Sequence, residues 1–390
     1  MSLADDYDSI IQAGNQGSDK ANKNIPEAWR PRSEIGTDGG FIVSTPRPDG
    51  NTPGAEEILI EAKLDPAEWT VVSHRRSRWQ TFNGDWLESF RVNVVPSGSQ
   101  TKPDYDLEQL LTKISDWSPK SYEQSFSGDL TAVYSVGDTQ YGKDDTPAII
   151  DRVLKSIDES VEHHEYLMAK YPNTIGQIAL PQLGDCIEGM TSQKGKVMGR
   201  HDIGVSEQVR VGRRMLLAQV KALAPFAKIV VPVVPGNHDE VQRFLVGRPE
   251  DSWQIDVVAQ VEDICKENDF LRDRVEFRYP AADDSTLTVN LSGVMYGMAH
   301  GHQSRDMVKW WQGQVMGRCS VADADILNVG HYHHYRAQNV GPRLFIQNPS
   351  MDNGSAWFRD KSGLDSAPGI ISLLIGKDID PRRELVVLGG

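Results

Sequence analysis

The chain has 390 residues, a quarter of them charged, with a formal net charge of −14. That length supports a sizeable core and more than one domain, and the acidity excludes a generally basic nucleic-acid coat while leaving room for a local basic groove. No apolar run approaches the ~18 residues of a membrane helix; residues 1–6 lack the features of a secretory leader, and three scattered cysteines (Cys186, Cys265, Cys319) fit a reduced, cytoplasmic protein with no membrane partner.

Residues 1–54 are rich in Gly, Asp, Asn, Ser and Pro with little periodicity, so a flexible or draped arm is expected there. A short helix is expected over 55–63, with Ile58, Leu59 and Ala62 on one side and Leu64-Asp65-Pro66 ending it. Strands over 69–82 and 85–95 are joined by Asn83-Gly84, a type I′ hairpin signal. Residues 55–96 thus read as a small α+β module. It interleaves Arg75, Arg76, Arg78 and Arg91 with Trp79, Phe82, Trp86 and Phe90. That pattern suits phosphate contacts and base stacking, and equally an amphipathic hairpin packed on a neighbouring domain. Residues 97–126, with one short helical segment, read as linker.

Residues 127–390 read as one large domain. An apolar run over 131–136 is followed by Thr146-Pro147, an N-cap with proline at the first helical position, and a periodic helix to about residue 170. Further helices are expected over 206–224, 252–268 and 305–316, and strands over 286–291, 344–347 and 370–375. Strand–helix alternation followed by a β-rich half predicts an α/β fold, two packed mixed sheets flanked by helices. Within it, His163-His164 are expected in solvent and Trp310-Trp311 in a core or interface.

Five apolar runs end in polar clusters. The run 131–136 leads to Gly137-Asp138-Thr139-Gln140, and 178–183 leads to Gly184-Asp185-Cys186-Ile187-Glu188. The run 229–235 leads to Gly236-Asn237-His238-Asp239-Glu240. The run 294–299 leads to His300-Gly301-His302, and 325–329 to Gly330-His331-Tyr332-His333-His334. Open α/β sheets bind ligands outside the carboxyl ends of their strands. Five such ends carrying oxygen and imidazole donors describe a metal site, whereas any one buried His or Asn alone is usually a satisfied polar group.

These motifs, in this order, resemble the calcineurin-like metallophosphoesterases, whose pattern is D-x-H, G-D-x-x-[DE], G-N-H-[DE], H and G-H-x-H. The resemblance covers about residues 128–350 and departs at Gln140, where the family has His. It implies a metallophosphoesterase sandwich holding two divalent ions, the first on Asp138, Gln140, Asp185 and His333, the second on Asp185, Asn237, His300 and His331, with Asp185 bridging. Such a pair lowers the pKa of a shared water and clamps phosphoryl oxygens. The resemblance also gives His238 the role of stabilising the transition state or protonating the leaving oxygen; the neighbouring Asp239 is expected to orient it, as carboxylates near a metal site orient imidazoles. An amide oxygen is harder than imidazole, which ranks Mn²⁺ first, then Mg²⁺, Fe or Zn²⁺. Alternatively, Gln140 ligates nothing and water fills the gap.

The basic stretch after the second motif (Lys194, Lys196, Arg200, His201) is a candidate substrate contact. His302 reads as a neighbour of the ligands, His334 as an exposed one, Cys186 as packing, and Glu188 either as a partner of a ligand histidine or as a loop cap. The expected activity is dimetal-dependent hydrolysis of phosphodiesters, with nucleic acid the favoured substrate. A small nucleotide or a phosphoprotein is the alternative, and a binding or scaffold protein with a degenerate site is the third reading. A homo-oligomer is compatible with the sequence.

Overall fold

The computed structural model describes residues 31–36, 39–48, 50, 52–81, 84–97, 106–118, 128–143, 145–190, 201–241, 247–352 and 367–389. The chain divides into two compact units, Met1–Asp104 and Tyr105–Gly390.

In the first unit the strands β1 (Arg32–Gly36), β2 (Gly39–Val43), β3 (Arg47–Pro48), β4 (Trp69–Gln80) and β5 (Trp86–Pro96) form one antiparallel sheet. The long hairpin expected around Asn83-Gly84 is β4–β5, paired from Trp69↔Pro96 to Gln80↔Trp86 with a bulge between Val71 and Ser73. β2 and β3 pair with the other edge of β5, and β1 with β2. One face is apolar: Ile42, Phe90, Val92 and Val94 pack on Ile58 and Leu59 of the helix Ala55–Glu61. Burying such a side chain contributes about 1.5–3 kcal/mol. The draped arm is therefore corrected over 32–48. Within it Arg32–Gly36, Gly39–Val43 and Arg47–Pro48 are strands, because Phe41-Ile42-Val43 buries its central residue against the helix while β5 satisfies its backbone. The remainder of the arm, residues 1–30, lies outside the described residues.

In the second unit two sheets face each other. One runs β16 (Val386–Leu388), β15 (Ile370–Ile375), β6 (Leu130–Ser135), β7 (Ile175–Ala179), β8 (Lys228–Pro232), β9 (Val275–Arg278). The other runs β10 (Thr286–Leu291), β11 (Val294–Ala299), β12 (Ile326–Val329), β14 (Arg343–Gln347), β13 (Arg336–Val340). Period-2 alternation divides each strand between two cores. Val133, Val230, Ile371 and Leu373 meet Val289, Tyr296, Met298, Ile326 and Ile346 between the sheets. Ala132, Tyr134, Ile178, Ile229 and Leu374 face outward onto the helices Thr146–Lys170, Val205–Leu223 and Trp253–Glu267. Beyond the other sheet, Trp311 of the helix Met307–Gly317 is buried with Leu327, Val329 and Phe345, and its indole N–H donates to the Val321 carbonyl at 2.9 Å.

Three local expectations change. The helix Leu107–Asp116, placed in the linker, contributes Leu110, Leu111 and Ile114 to the large core. The long helix is capped by Asp145, whose side chain accepts from the Ala148 N–H at 3.3 Å. Thr146 turns its hydroxyl to Asp202 at 2.7 Å instead. His164 is fully buried, against Tyr134 and Phe226, because it falls on the same helical stripe as Val161 and Leu167; burial lowers its pKa to about 4.

Strands β6 to β9 are parallel, as are β11, β12 and β14. The loops after β6, β7, β8, β11 and β12 carry the five polar clusters.

Candidate metal centre

Two glycines let these loops meet. A Cβ at Gly236 would lie 2.1 Å from the Asp185 carboxylate, and one at Gly330 would lie 2.6 Å from that of Asp138. Each carboxylate uses the space to hold a neighbouring loop. Asp185 Oδ1 accepts from the His238 backbone N–H at 2.7 Å. Asp138 Oδ2 accepts from the His331 N–H at 2.7 Å. Both Asp138 and Asp185 are fully buried.

The second oxygens face imidazoles. Asp185 Oδ2 lies 3.1 Å from His300 Nε2, and Asn237 Oδ1 lies 3.1 Å from the same nitrogen. Asp138 Oδ1 lies 3.3 Å from His333 Nε2. His331 joins the first group: one ligand atom each from Asp185, His300 and His331 lie within 4.8 Å of one another. The His300 and His331 ring centroids are 5.1 Å apart.

His300 Nδ1 sits 2.7 Å from the Leu183 carbonyl, which can only accept, so Nδ1 carries a proton. Nε2 then turns a lone pair towards two oxygens unless it too is protonated. Only a cation, proton or metal, makes that convergence favourable. Donors bound cis to one ion at about 2.1 Å stand about 3.0 Å apart, close to the separations seen here. Asp138 Oδ1 and Asp185 Oδ2 are also buried without a hydrogen-bond donor. The residues fit a divalent ion.

Gln140 is buried, but its side-chain oxygen accepts from Lys143 Nζ at 2.8 Å. Lys143 also pairs with Asp352, and Asp352 Oδ2 lies 3.4 Å from His333 Nδ1. A chain of contacts thus runs Gln140, Lys143, Asp352, His333, Asp138. Neither Lys143 nor Asp352 stands out in the sequence, because Asp352 lies 209 residues from Lys143 and outside every motif.

The expected partnership of Asp239 with His238 is corrected. Asp239 is fully buried and accepts from the backbone N–H groups of Asp185 at 2.5 Å, Gly236 at 3.1 Å and Ile187 at 3.4 Å. It ties the second motif loop to the third. His238 Nδ1 lies instead 3.2 Å from the Glu188 carbonyl and 3.3 Å from Glu188 Oε2. His238 keeps partial exposure, 17 % of its side chain, as does His333 with 22 %.

Charge follows position. Burial draws the His300 imidazole down, but Asp185 beside it, with help from Asp138, brings it up to about 9. His333 is likewise lowered by burial and raised by Asp138 and Asp352, to about 10. Burial and then the His300 charge push His331 and His302 down to about 4. Burial raises the Asp185 carboxyl, yet His300 and His238 pull it well below the usual carboxylate range. Burial, then Asp185, pushes Asp239 up to about 7. Burial also raises the Cys186 thiol, which packs beside Asp239 and is no thiolate ligand.

His201 is half-buried and pairs by its backbone with Lys143; Lys194, Lys196 and Arg200 lie outside the described residues. His302 is packed beside His300 and His331, and His334 donates its Nδ1–H to the Tyr332 carbonyl, 2.9 Å away.

No family model and no curated protein matches the chain. Solved structures similar to parts of it include an archaeal phosphodiesterase at 12 % identity, covering 66 % of this chain and 99 % of that one, with a TM-score of 0.30. A predicted phosphoesterase from Streptococcus pneumoniae is 14 % identical over 63 % and 83 % of the two chains, with a TM-score of 0.27. Vps29 from Entamoeba histolytica, complexed with zinc, is 16 % identical over 64 % and 87 %, with a TM-score of 0.29. Likenesses this distant leave the function to be argued from the chain's own side chains.

Proposed function

We infer that the protein is a metal-dependent phosphoesterase that hydrolyses phosphodiesters, nucleic acid being the favoured substrate. The observation that carries this reading is the convergence of Asp185 Oδ2 and Asn237 Oδ1 on His300 Nε2, each 3.1 Å away. Asp185, Asn237, His300 and His331 would hold one divalent ion; Asp138, Gln140, Asp185 and His333 would hold a second. An oxygen-rich donor set with Gln140 ranks Mn²⁺ first.

Bound divalent ions supply Lewis acidity and a water acidic enough to act as nucleophile near neutral pH. The chain's own residues do the rest. Asp185 sets the spacing of the two ligand groups and fixes the His238 backbone through its other oxygen. Glu188 holds His238 Nδ1, and Nε2, 4.0 Å from Asp185 Oδ2, presents a proton to the leaving oxygen. Asp239 locks the loops that carry Asp185 and Asn237.

A second reading has one specific support. The Lys143 ammonium already occupies the oxygen of Gln140, which favours a single ion at Asp185, Asn237, His300 and His331 and a binding or scaffold role. A Mn²⁺-dependent activity panel over single- and double-stranded DNA, cyclic nucleotides and monoesters tests both, together with metal analysis. Diester hydrolysis with two ions per chain is expected. No turnover with one ion or fewer would reject the enzyme and favour the scaffold.

A further inference from the structure

We propose that the face of the N-terminal sheet opposite its helix is a binding platform for single-stranded nucleic acid. This deepens the phosphodiesterase reading by naming its polymer, and rests on that reading for what becomes of the bound strand.

Strand register assigns the face. Directly paired residues on antiparallel strands point to the same side. Arg32 pairs with Val43, Val43 with Arg91, and Arg91 with Arg75. This row crosses β1, β2, β5 and β4, about 14 Å at ~4.8 Å per strand. The adjacent row is Glu34, Phe41, Asn93 and Ser73, with the Asn93 amide donating to the Ser73 hydroxyl at 2.8 Å. Towards the hairpin end the same face continues through Ser77 and Ser89 to Trp79 and Leu87. The alternate residues Ile42, Phe90, Val92 and Val94 point to the helix.

Among the described residues little neutralises the charge on this face. Arg32, Arg75 and Arg91 are exposed, and these two rows contain one acid, Glu34. Arg75 and Arg91 stand directly opposite each other, an arrangement that destabilises an antiparallel pair. Among the described residues neither forms an ion pair, whereas Arg76, on the other face, pairs with the buried Glu88. A cluster of bare arginines on a chain of net charge −14 is complementary to a polyanion, and the rest of the surface repels one.

The aromatic groups choose the polyanion. The Arg91 guanidinium lies 4.1 Å above the Phe41 ring, with Arg32 5.6 Å from it. A guanidinium seated over a ring can offer its outer side to a base and its N–H groups to phosphate. Trp79, half-buried on the same face, lies four residues from Arg75, about 13 Å along the strand. Arginines between two stacking positions suit a strand with unpaired bases; an acidic peptide has nothing to stack, and a duplex keeps its bases inside.

The test is fluorescence anisotropy of labelled oligo(dT) with the full-length protein in EDTA, so that no hydrolysis intervenes. Wild type should bind. Arg75→Gln/Arg91→Gln should bind at least tenfold more weakly at low salt. The slope of log affinity against log salt should fall by about 1.4, since each single-strand phosphate contact contributes about 0.7. Arg78→Gln, on the opposite face and stacked on Trp86, should change little. The proposal is overturned by absent binding in wild type, by an unchanged double variant, by an equal loss in Arg78→Gln, or by equally tight binding of a duplex or of polyglutamate. Turnover of a chromogenic diester by each variant separates the two ideas. Hydrolysis without strand binding sinks the platform and leaves the enzyme; strand binding without hydrolysis does the reverse.

Discussion

Loading this centre with a divalent ion at about pH 7.5 should expel protons, some of them from the ligand histidines. An imidazole must be neutral to ligate. In the metal-free protein His300, brought to about 9, and His333, brought to about 10, are imidazolium at that pH. His331, lowered to about 4, is already neutral, and Asp185 is already ionised. An ion on Asp185, Asn237, His300 and His331 therefore releases one histidine proton, and a second ion that reaches His333 releases another, in addition to any proton given up by a metal-bound water. Competition at His300 spans about 1.5 pH units, so the apparent affinity lies about thirtyfold below its high-pH limit. It should rise tenfold per pH unit for one ion and level off above about 9. The stability sign runs the other way. A raised histidine contributes stability that is fully present below 6.5 and lost as pH rises through about 9, worth about 3 kcal/mol for the His300–Asp185 pair counted once. Calorimetry with Mn²⁺ in two buffers of different ionisation enthalpy gives the proton count, and repeating it from about pH 6.5 to about 8.5 gives the slope. Affinity independent of pH with no proton released would refute the reasoning, because His300 would then be neutral without metal and its contacts with Asp185 and Asn237 would need another cause.

Asp185→Ala should lose metal binding and activity together, since both proposed ligand groups use it; two ions per chain retained in that variant would defeat the assignment. His238→Ala should keep its metal and lose about 10²–10⁴ in rate, less with a p-nitrophenolate leaving group; equal losses for good and poor leaving groups would make His238 a phosphate binder instead. Gln140→His should tighten Zn²⁺ binding relative to Mn²⁺ by calorimetry; an unchanged order would show that Gln140 serves Lys143 rather than a metal. His331 has positive φ, so His331→Gly should be more stable to urea than His331→Ala by about 1–2 kcal/mol, reversing the usual advantage of alanine; the ordinary order would mean that this backbone is not left-handed in solution.

The candidate donors are legible as a set because each sits a few residues beyond an apolar run, so a contiguous stretch of sequence states both the strand and the side chains at its end. The helix Thr146–Lys170 and the strands Thr286–Leu291 and Ile370–Ile375 were legible for the same local reason. Long-range partners were not. Nothing near Asp239 says that its carboxylate is spent on the Asp185 and Gly236 backbones, or that Glu188 reaches His238. Lys143 and Asp352 meet only through the fold. The strands β1 to β3 escaped notice because each is at most five residues long and set among Gly and Pro, with stability that comes from the hairpin they join. His164 departs from the solvent position expected of a polar residue because its spacing from Val161 and Leu167 marks a core face.

The geometry also explains how the loops keep their shape around so much buried charge. Asp138, Gln140, Asp185, His331 and His333 all have positive φ, a conformation that costs a residue with a Cβ about 1–2 kcal/mol. Glycine would avoid that cost but would remove the donor. The offset is visible in how the carboxylates are used. Asp185 gives one oxygen to the His238 N–H and Asp138 gives one to the His331 N–H, charge-assisted bonds that contribute about 1.5–3 kcal/mol each. Each therefore closes a strained loop with one oxygen and keeps the other for the imidazole side of the site. Asp239 adds three backbone contacts that need no cation. The loop frame is thus held by carboxylate–backbone bonds, and the cation requirement falls on the remaining oxygens, Asp138 Oδ1 and Asp185 Oδ2. Protons on His300 and His333 can meet that requirement when metal is absent, so the same frame can exchange protons for metal without being rebuilt.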